Sequence, residues 1–483
     1  MVNFLSSSRT SAILAALFYA SSSLSSHALS LKEAVSVTLD SNPDIEQAIQ
    51  NREAIEFELR QAKGLALPSV DLEAFTGVRR LDSPSRRALG TDDNELYPSE
   101  VGVVATQTLF DGGRIRGEID NQASRVDSAS FRILERSETI GLNVVREYIE
   151  YLLQAEILQL AVQNLRTHEG ISGNIRESIA KGTLTSADGQ QGRERLLAAK
   201  ARVQEAEENL SAAAIRFNRL VGVPLTNAQT PPSVSAKLPS SLDKALGVAR
   251  KNNPLVKIAL ADIDAQDAAV SAAKADFAPE ITLEGRARTG DDIDSVNGRT
   301  SDLQARVILR WNLYRGGIKK ANEQEQIRRA SEQRMILHQV HRRIEEAVRI
   351  AWDRRLRQSR IAATLAEQSQ ENAKLVNSYR EQFAVGQRSL LDVLDAQNTR
   401  FNVDVLERTA GKSALLAQYT LLAATGQLLQ TFGLESAPQT EAYARAEFDV
   451  PETLPAETYD RVPTRQVNDL PMDLLAPIRR KNQ

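Results

Sequence analysis

The chain says the same thing twice, and that limits what it can fold into. Asn42-Pro43 recurs as Asn253-Pro254, and Pro68 as Pro279, each 211 residues on. Gly112-Gly113 recurs as Gly316-Gly317, Gly182 as Gly386, Asp188 as Asp392 and Gly222 as Gly426, each 204 residues on. The offsets differ by seven, so one stretch between Pro68 and Gly112 is seven residues longer than its counterpart. A repeat of about 200 residues is too long for a solenoid unit. It reads as a duplicated structural half: residues 29–230 and 231–435.

The first 28 residues read as a secretory signal peptide. Arg9 precedes an apolar run, Ala12 to Ala20, and Ser26-His27-Ala28 offers a small-x-small cleavage site. A transmembrane anchor is the competing reading, but the run is too short to span a bilayer. The 483 residues contain no cysteine, which excludes disulfides, thiolate metal sites and an amino-terminal lipid anchored on cysteine. A net charge of -3 gives no reason to expect a nucleic-acid partner. No apolar stretch in the mature chain is long enough for a spanning helix, so any entry into a membrane must be as β-strands or at the surface.

Proline placement implies long helices. None occurs between Pro98 and Pro224, or between Pro279 and Pro438, and proline costs about 3 kcal/mol inside a helix. Within the first gap, Ile119, Val126, Ile133 and Ile140 recur at steps of seven, and Val144, Tyr148, Tyr151, Ala155, Leu158, Val162 and Leu165 continue in threes and fours. That is a coiled-coil seam. It predicts a helix over about 115–180, roughly 100 Å long at 1.5 Å per residue, followed by one over 186–220 that Gly222-Val223-Pro224 stops. The second half predicts helices over 318–382 and 390–429. Shorter helices, 31–65 and 242–275, open each half and are interrupted at Asn-Pro.

Two windows per half alternate with period two instead. Val70, Leu72, Ala74 and Thr76 alternate with Asp71, Glu73 and Phe75, and Val101, Val103 and Ala105 follow after a polar loop at 81–98. Ile281, Leu283 and Gly285 alternate with Thr282, Glu284 and Arg286, and Leu303, Ala305, Val307 and Leu309 with Gln304, Arg306 and Ile308. Strands are expected at about 69–80, 99–110, 280–289 and 302–312. Apolar-out, polar-in alternation over about ten residues marks a membrane β-strand. A soluble hairpin packed on the helices is the competing reading. A sheet in lipid cannot keep a free edge, so the membrane reading requires several chains. The tail, 436–483, is proline-rich and aperiodic, and is expected to be extended or disordered.

These features resemble the TolC family of outer-membrane efflux and secretion ducts. The duplicated half with two strands in each, Leu109-Phe-Asp-Gly-Gly113 echoed by Leu313-Tyr-Arg-Gly-Gly317, and Val385-Gly-Gln-Arg-Ser-Leu-Leu-Asp-Val-Leu-Asp-Ala396 carry the resemblance. It implies a homotrimer with a twelve-stranded β-barrel, four strands per chain, in outer-membrane lipid, and an α-helical barrel of long coiled-coil helices through the periplasm. It implies a periplasmic adaptor and an inner-membrane transporter, ABC or proton-driven, as partners. Of the two roles known for such ducts, type I protein secretion is preferred here over drug efflux; the alternative from another class is a soluble secreted coiled-coil scaffold.

The resemblance also assigns residues. Asp392 and Asp395 match an acidic ring at the periplasmic gate, although Ser389 followed by Asp392 also fits a helix cap. Arg388 and Asp188 match the polar links that hold the gate. Phe383 and Ala187 stand where the best-known member of the family has tyrosine and threonine, and the phenylalanine leaves one hydroxyl link absent. Gly182, Thr183 and Leu184 in one half, and Gly386, Gln387 and Ser389 in the other, match the tips that dock an adaptor. No catalytic residues, cofactor or metal are expected. Gly411-Lys412-Ser413 lacks the upstream glycine of a phosphate loop, and His338 with His341 has no carboxylate at metal-ligand spacing.

Overall fold

The computed structural model describes residues 29–225, 227–294 and 298–442. The expected signal peptide and the tail from 443 on lie outside the described residues. The short described part of the tail holds a 3-10 turn at Pro438–Thr440.

The two halves carry the same helices at nearly the same lengths. The first has α1 (Leu31–Ser41), α2 (Pro43–Gly64), α4 (Arg114–Ala180) and α5 (Ser186–Val221), of 11, 22, 67 and 36 residues. The second has α6 (Leu242–Asn252), α7 (Pro254–Ala275), α8 (Ile318–Ala384) and α9 (Leu390–Ala424), of 11, 22, 67 and 35 residues. At 1.5 Å per residue the two longest run about 100 Å. Two short helices complete the α-helices of the described residues: α3 (Pro84–Leu89) and α10 (Leu428–Phe432).

The repeated Asn-Pro does more than interrupt a helix. Asn42 Oδ1 accepts the Asp44 amide at 3.0 Å and so caps α2, while its Nδ2 donates to the Leu220 carbonyl at 3.2 Å. Asn253 repeats this, accepting from the Leu255 amide at 3.0 Å and donating to the Ala424 carbonyl at 3.1 Å. Each asparagine therefore satisfies a donor at one helix start and an acceptor at the end of α5 or α9. Proline at the first helical position has no amide to leave unsatisfied.

The strands form one antiparallel sheet in the order β1–β4–β5–β6: β1 (Ser69–Thr76), β4 (Ser99–Phe110), β5 (Glu280–Asp291) and β6 (Arg299–Arg310). A separate two-stranded sheet pairs β2 (Arg79–Arg80) with β3 (Glu95–Leu96). The first strand is thus shorter than expected, ending at Thr76. The loop expected at 81–98 is partly ordered: it holds α3, whose Ser83 side chain caps the helix and whose buried Arg86 donates to the Thr91 and Asn94 carbonyls.

Register places Leu72, Val103, Ala287 and Leu303 in one row across the sheet, and Glu73, Gly102, Arg288 and Asp302 in the next. Successive rows face opposite sides, so one face is apolar and the other ionic. Leu72 is 72% exposed and Leu303 84%. On the ionic face Arg288 reaches Asp302 at 3.2 Å, Glu100 at 3.1 Å and Asp294 at 2.5 Å. Arg286 also holds Glu100, at 3.0 Å. Among the described residues no helix is long and apolar enough to cross a membrane. Among the described residues, the outer edges of β1 and β6 have no strand partner.

The lateral order of elements is the same at three levels. The strands run β1–β4–β5–β6. The helices next to the sheet run α2–α4–α7–α8, and those leading to the hairpin turns run α5–α4–α9–α8. The largest core lies between these levels, where Val144, Tyr148, Phe217, Tyr419, Leu422 and Leu428 are buried together. Here α9 breaks earlier than expected. Gly426 adopts a left-handed φ of +69°, with the Asn252–Asn253 backbone pressed against it, and α10 starts afresh. The buried Glu138 carboxylate accepts the Leu428 and Leu429 amides at 3.2 and 3.4 Å. Burial pushes its pKa up to about 7, against the pull of those two bonds.

Candidate functional site at the hairpin tips

Each long helix turns back through the same five-residue joint. Gly182 and Gly386 both have φ +76°, the left-handed conformation a side chain would strain. The next amides, of Thr183 and Gln387, each donate to a carbonyl five residues back, Ser178 and Gln382, at 2.9 Å. Both return helices open with a reciprocal cap. Thr185 Oγ1 accepts the Asp188 amide at 3.3 Å, while Asp188 accepts the Thr185 amide at 2.9 Å. Ser389 Oγ accepts the Asp392 amide at 3.2 Å, while Asp392 accepts the Ser389 amide at 3.3 Å. The bonds from Thr185, its hydroxyl first, hold the Asp188 carboxyl below the usual carboxylate range.

The turn residues are displayed outward. Gly182, Thr183, Gly386, Gln387 and Ser389 are exposed, and Leu184 is half-buried. Leu184 packs with Phe383 and Ile179 around buried Ile175, Leu390 and Leu394. Phe383 therefore supplies apolar contact where a hydroxyl link is missing. A cleft of about 540 Å³ lies between the hairpins, lined by Ile171, Ile175, Phe383 and Leu390, with Arg166 and Arg380.

The expected Arg388–Asp188 link is not formed within the chain. The Arg388 guanidinium lies 4.1 Å from the Tyr379 ring centroid, its Nε donates to Gln382 at 3.1 Å, and Asp392 stands 3.9 Å away. Asp188 is occupied by its own helix cap. The return turn points each side chain to partners on its own hairpin, which local bonding satisfies first. Asp392 caps α9, and Asp395 pairs with Arg195 of the other hairpin at 3.3 Å.

The ties between hairpins lie above the tips, where sequence reading did not look. Asn164 of α4 accepts from buried Gln397 of α9 at 3.4 Å, and Arg380 of α8 donates to the same Gln397 at 3.1 Å. Arg202 of α5 lies 5.0 Å from the Phe401 ring centroid. His168 sits beside Asn164 on the α4 seam, 3% exposed, with no hydrogen-bond partner for its Nδ1. Burial first, then Arg202, Arg195 and Arg380, hold its pKa below the ordinary histidine value, with Glu194 opposing. The signal was two polar residues, Asn164 and His168, at core spacing in an apolar heptad.

The Gly411-Lys412-Ser413 run has a packing use. Lys412 is nearly buried and pairs with Glu156 at 2.6 Å. No cluster of potential metal ligands occurs among the described residues.

Comparison with known proteins gives this geometry its place. The chain is 25% identical over 335 residues to the outer membrane efflux protein BepC of Brucella suis, covering 68% of this chain and 72% of that one. It is 24% identical over 388 residues to the alkaline protease secretion protein AprF of Pseudomonas aeruginosa, covering 78% and 80%. A crystal structure of a membrane protein from Pseudomonas aeruginosa has the same fold, with a TM-score of 0.72 at 20% identity over 82% of this chain and 90% of that one. The profile of the outer membrane efflux proteins matches residues 34–223 and 245–427, most of both halves. The chain belongs to the outer membrane efflux protein family.

Proposed function

We propose that three copies of this chain close into a ring that forms an export duct through the outer membrane, serving type I protein secretion. The observation that carries this is the shared lateral order. At every level the chain ends in one open flank on the β1, α2 and α5 side and another on the β6 and α8 side. A sheet with one apolar face and two free edges is not viable in lipid until the edges meet. Two copies would supply eight strands, whose interior side chains fill. Three supply twelve and leave a passage.

The hairpin tips then gather at the periplasmic end. Asp392 and Asp395 of three copies stand around this end; with Asp395 paired to Arg195, the acidic constriction that favours cations rests mainly on Asp392. The Arg388–Asp188 link, absent within one chain, is available only between copies. The exposed turns at Gly182, Thr183, Leu184, Gly386, Gln387 and Ser389 dock a periplasmic adaptor. The adaptor joins the duct to an inner-membrane ABC or proton-driven transporter.

The relative named for alkaline protease secretion supports export of protein. The relative named as an efflux protein supports a second reading, drug efflux through the same duct. Chemical cross-linking in detergent tests the ring: a ladder ending at three chains is expected, and a homogeneous monomer with intact strands refutes it. Deleting the gene then separates the two uses. Loss of specific proteins from the culture medium is expected for secretion. Unchanged medium with increased antibiotic sensitivity would assign efflux.

A further inference from the structure

Above the tips, a polar layer ties the two hairpins of one chain to each other. It draws on all four helices: Asn164 and His168 of α4, Arg195 and Arg202 of α5, Arg380 of α8, and Gln397 of α9. We propose that this layer is the lock that keeps the two hairpins together in the resting duct, and that His168 makes it release on acidification. The proposal rests on the reading that the tips form the closing end of the duct.

A buried imidazole tolerates a proton only where water or an anion meets it. His168 is packed inside the α4 seam, out of water. The charged groups that face it are mostly cations. Arg195 and Arg202 approach from α5 and Arg380 from α8, against Glu194 of α5. From α9, Asp395 is taken up by Arg195, and Arg400, paired with Asp404 at 3.6 Å, stands beside Arg380. Among the described residues, Arg380 has only the neutral Gln397 as a bonded partner. A neutral imidazole fits this layer, and a proton on it adds another cation to a site already short of anions.

The proton is therefore accepted only when the layer parts and His168 meets water. Its value in the closed layer is lowered, and in the parted layer it returns toward about 6.5. The sign follows. The closed layer is fully favoured above about pH 6.5 and loses stability as pH falls through the lowered value. The bonds that part with it are those that cross between hairpins: Asn164–Gln397, Arg195–Asp395 and the stacking of Arg202 on Phe401. The bonds within each turn, such as the Ser389–Asp392 cap, are left in place. Acid would therefore separate the hairpins as intact units.

Two measurements on the full-length protein in detergent and in planar bilayers test this between pH 7.5 and 5.5, above the range where exposed aspartates titrate. Hydrogen exchange of peptides spanning 164–175 and 390–404, corrected for the intrinsic pH dependence, should quicken by up to tenfold per pH unit below about 6.5. Single-channel conductance should rise over the same interval. His168→Leu and the amide His168→Gln should both lose the acid response, with the glutamine variant guarding against a leucine variant that misfolds. If wild-type exchange in these peptides does not change with pH, or if both variants keep the response, the lock is not at His168. If exchange quickens but conductance stays constant in channels that conduct, the layer parts without gating and the proposal is overturned. Protein that shows the exchange response but forms no channel at all would refute the duct reading instead.

Discussion

The asparagines of the repeated Asn-Pro pairs are the most economical residues in the fold. Each closes two open helix ends that belong to different parts of the chain, 178 residues apart for Asn42 and 171 for Asn253. Asn253→Ala should lower stability by about 1–2 kcal/mol, the cost of a lost cap and a lost bond to a carbonyl, read as a fall in thermal midpoint in detergent. Glu138 makes a second residue-scale prediction. Its folded pKa of about 7 stands above its unfolded value of 4.5. Its favourable contribution is thus full below about pH 4.5 and is lost as pH rises through 7. Relative to Glu138→Gln, the wild type should lose on the order of 3 kcal/mol between pH 5 and pH 8. Melting curves of both proteins across that range check it, and parallel curves would mean the carboxyl titrates normally.

At the scale of elements, the helices were legible because proline and glycine punctuate them. Pro43 and Pro254 begin α2 and α7, Gly222 ends α5, and the heptad of α4 holds to its last turns. What escaped was short or distant. α3 is six residues inside a polar loop, and only Ser83-Pro84 before it and Gly90 after it announce a helix. The Asn164–Gln397 contact joins residues 233 apart in sequence and has no local pattern to reveal it. The gate assignments came from family resemblance; within one chain Asp188 and Asp392 also cap the helices they open. The strands were legible in their alternation, but not in which rows bond. Register shows Arg288 linking β4, β5 and β6 through Glu100 and Asp302. Arg288→Ala should leave the buried Glu100 with Arg286 alone and cut β5 from both of its ionic neighbours, which lowers the stability of the sheet. The oligomer should then dissociate at lower temperature on heating in detergent, while tunnel-helix content, followed by circular dichroism, is retained.

At the scale of the whole molecule, the identical order of elements at three heights gives the chain two different flanks, not one self-complementary face. A neighbour on the α8 side meets the α5 side of the next copy, never its own kind. Such contacts are head-to-tail, and they end only when the ring closes. This has a genetic consequence. A copy disabled on one flank can still join a ring through the other, but it leaves that ring unclosed. Expressed in equal amounts with the wild type and mixing freely, it would leave only about one ring in eight built wholly from intact chains. Damage to one flank should therefore behave as dominant, and export should fall far below half. A chain damaged on both flanks would be excluded from every ring, and should behave as recessive.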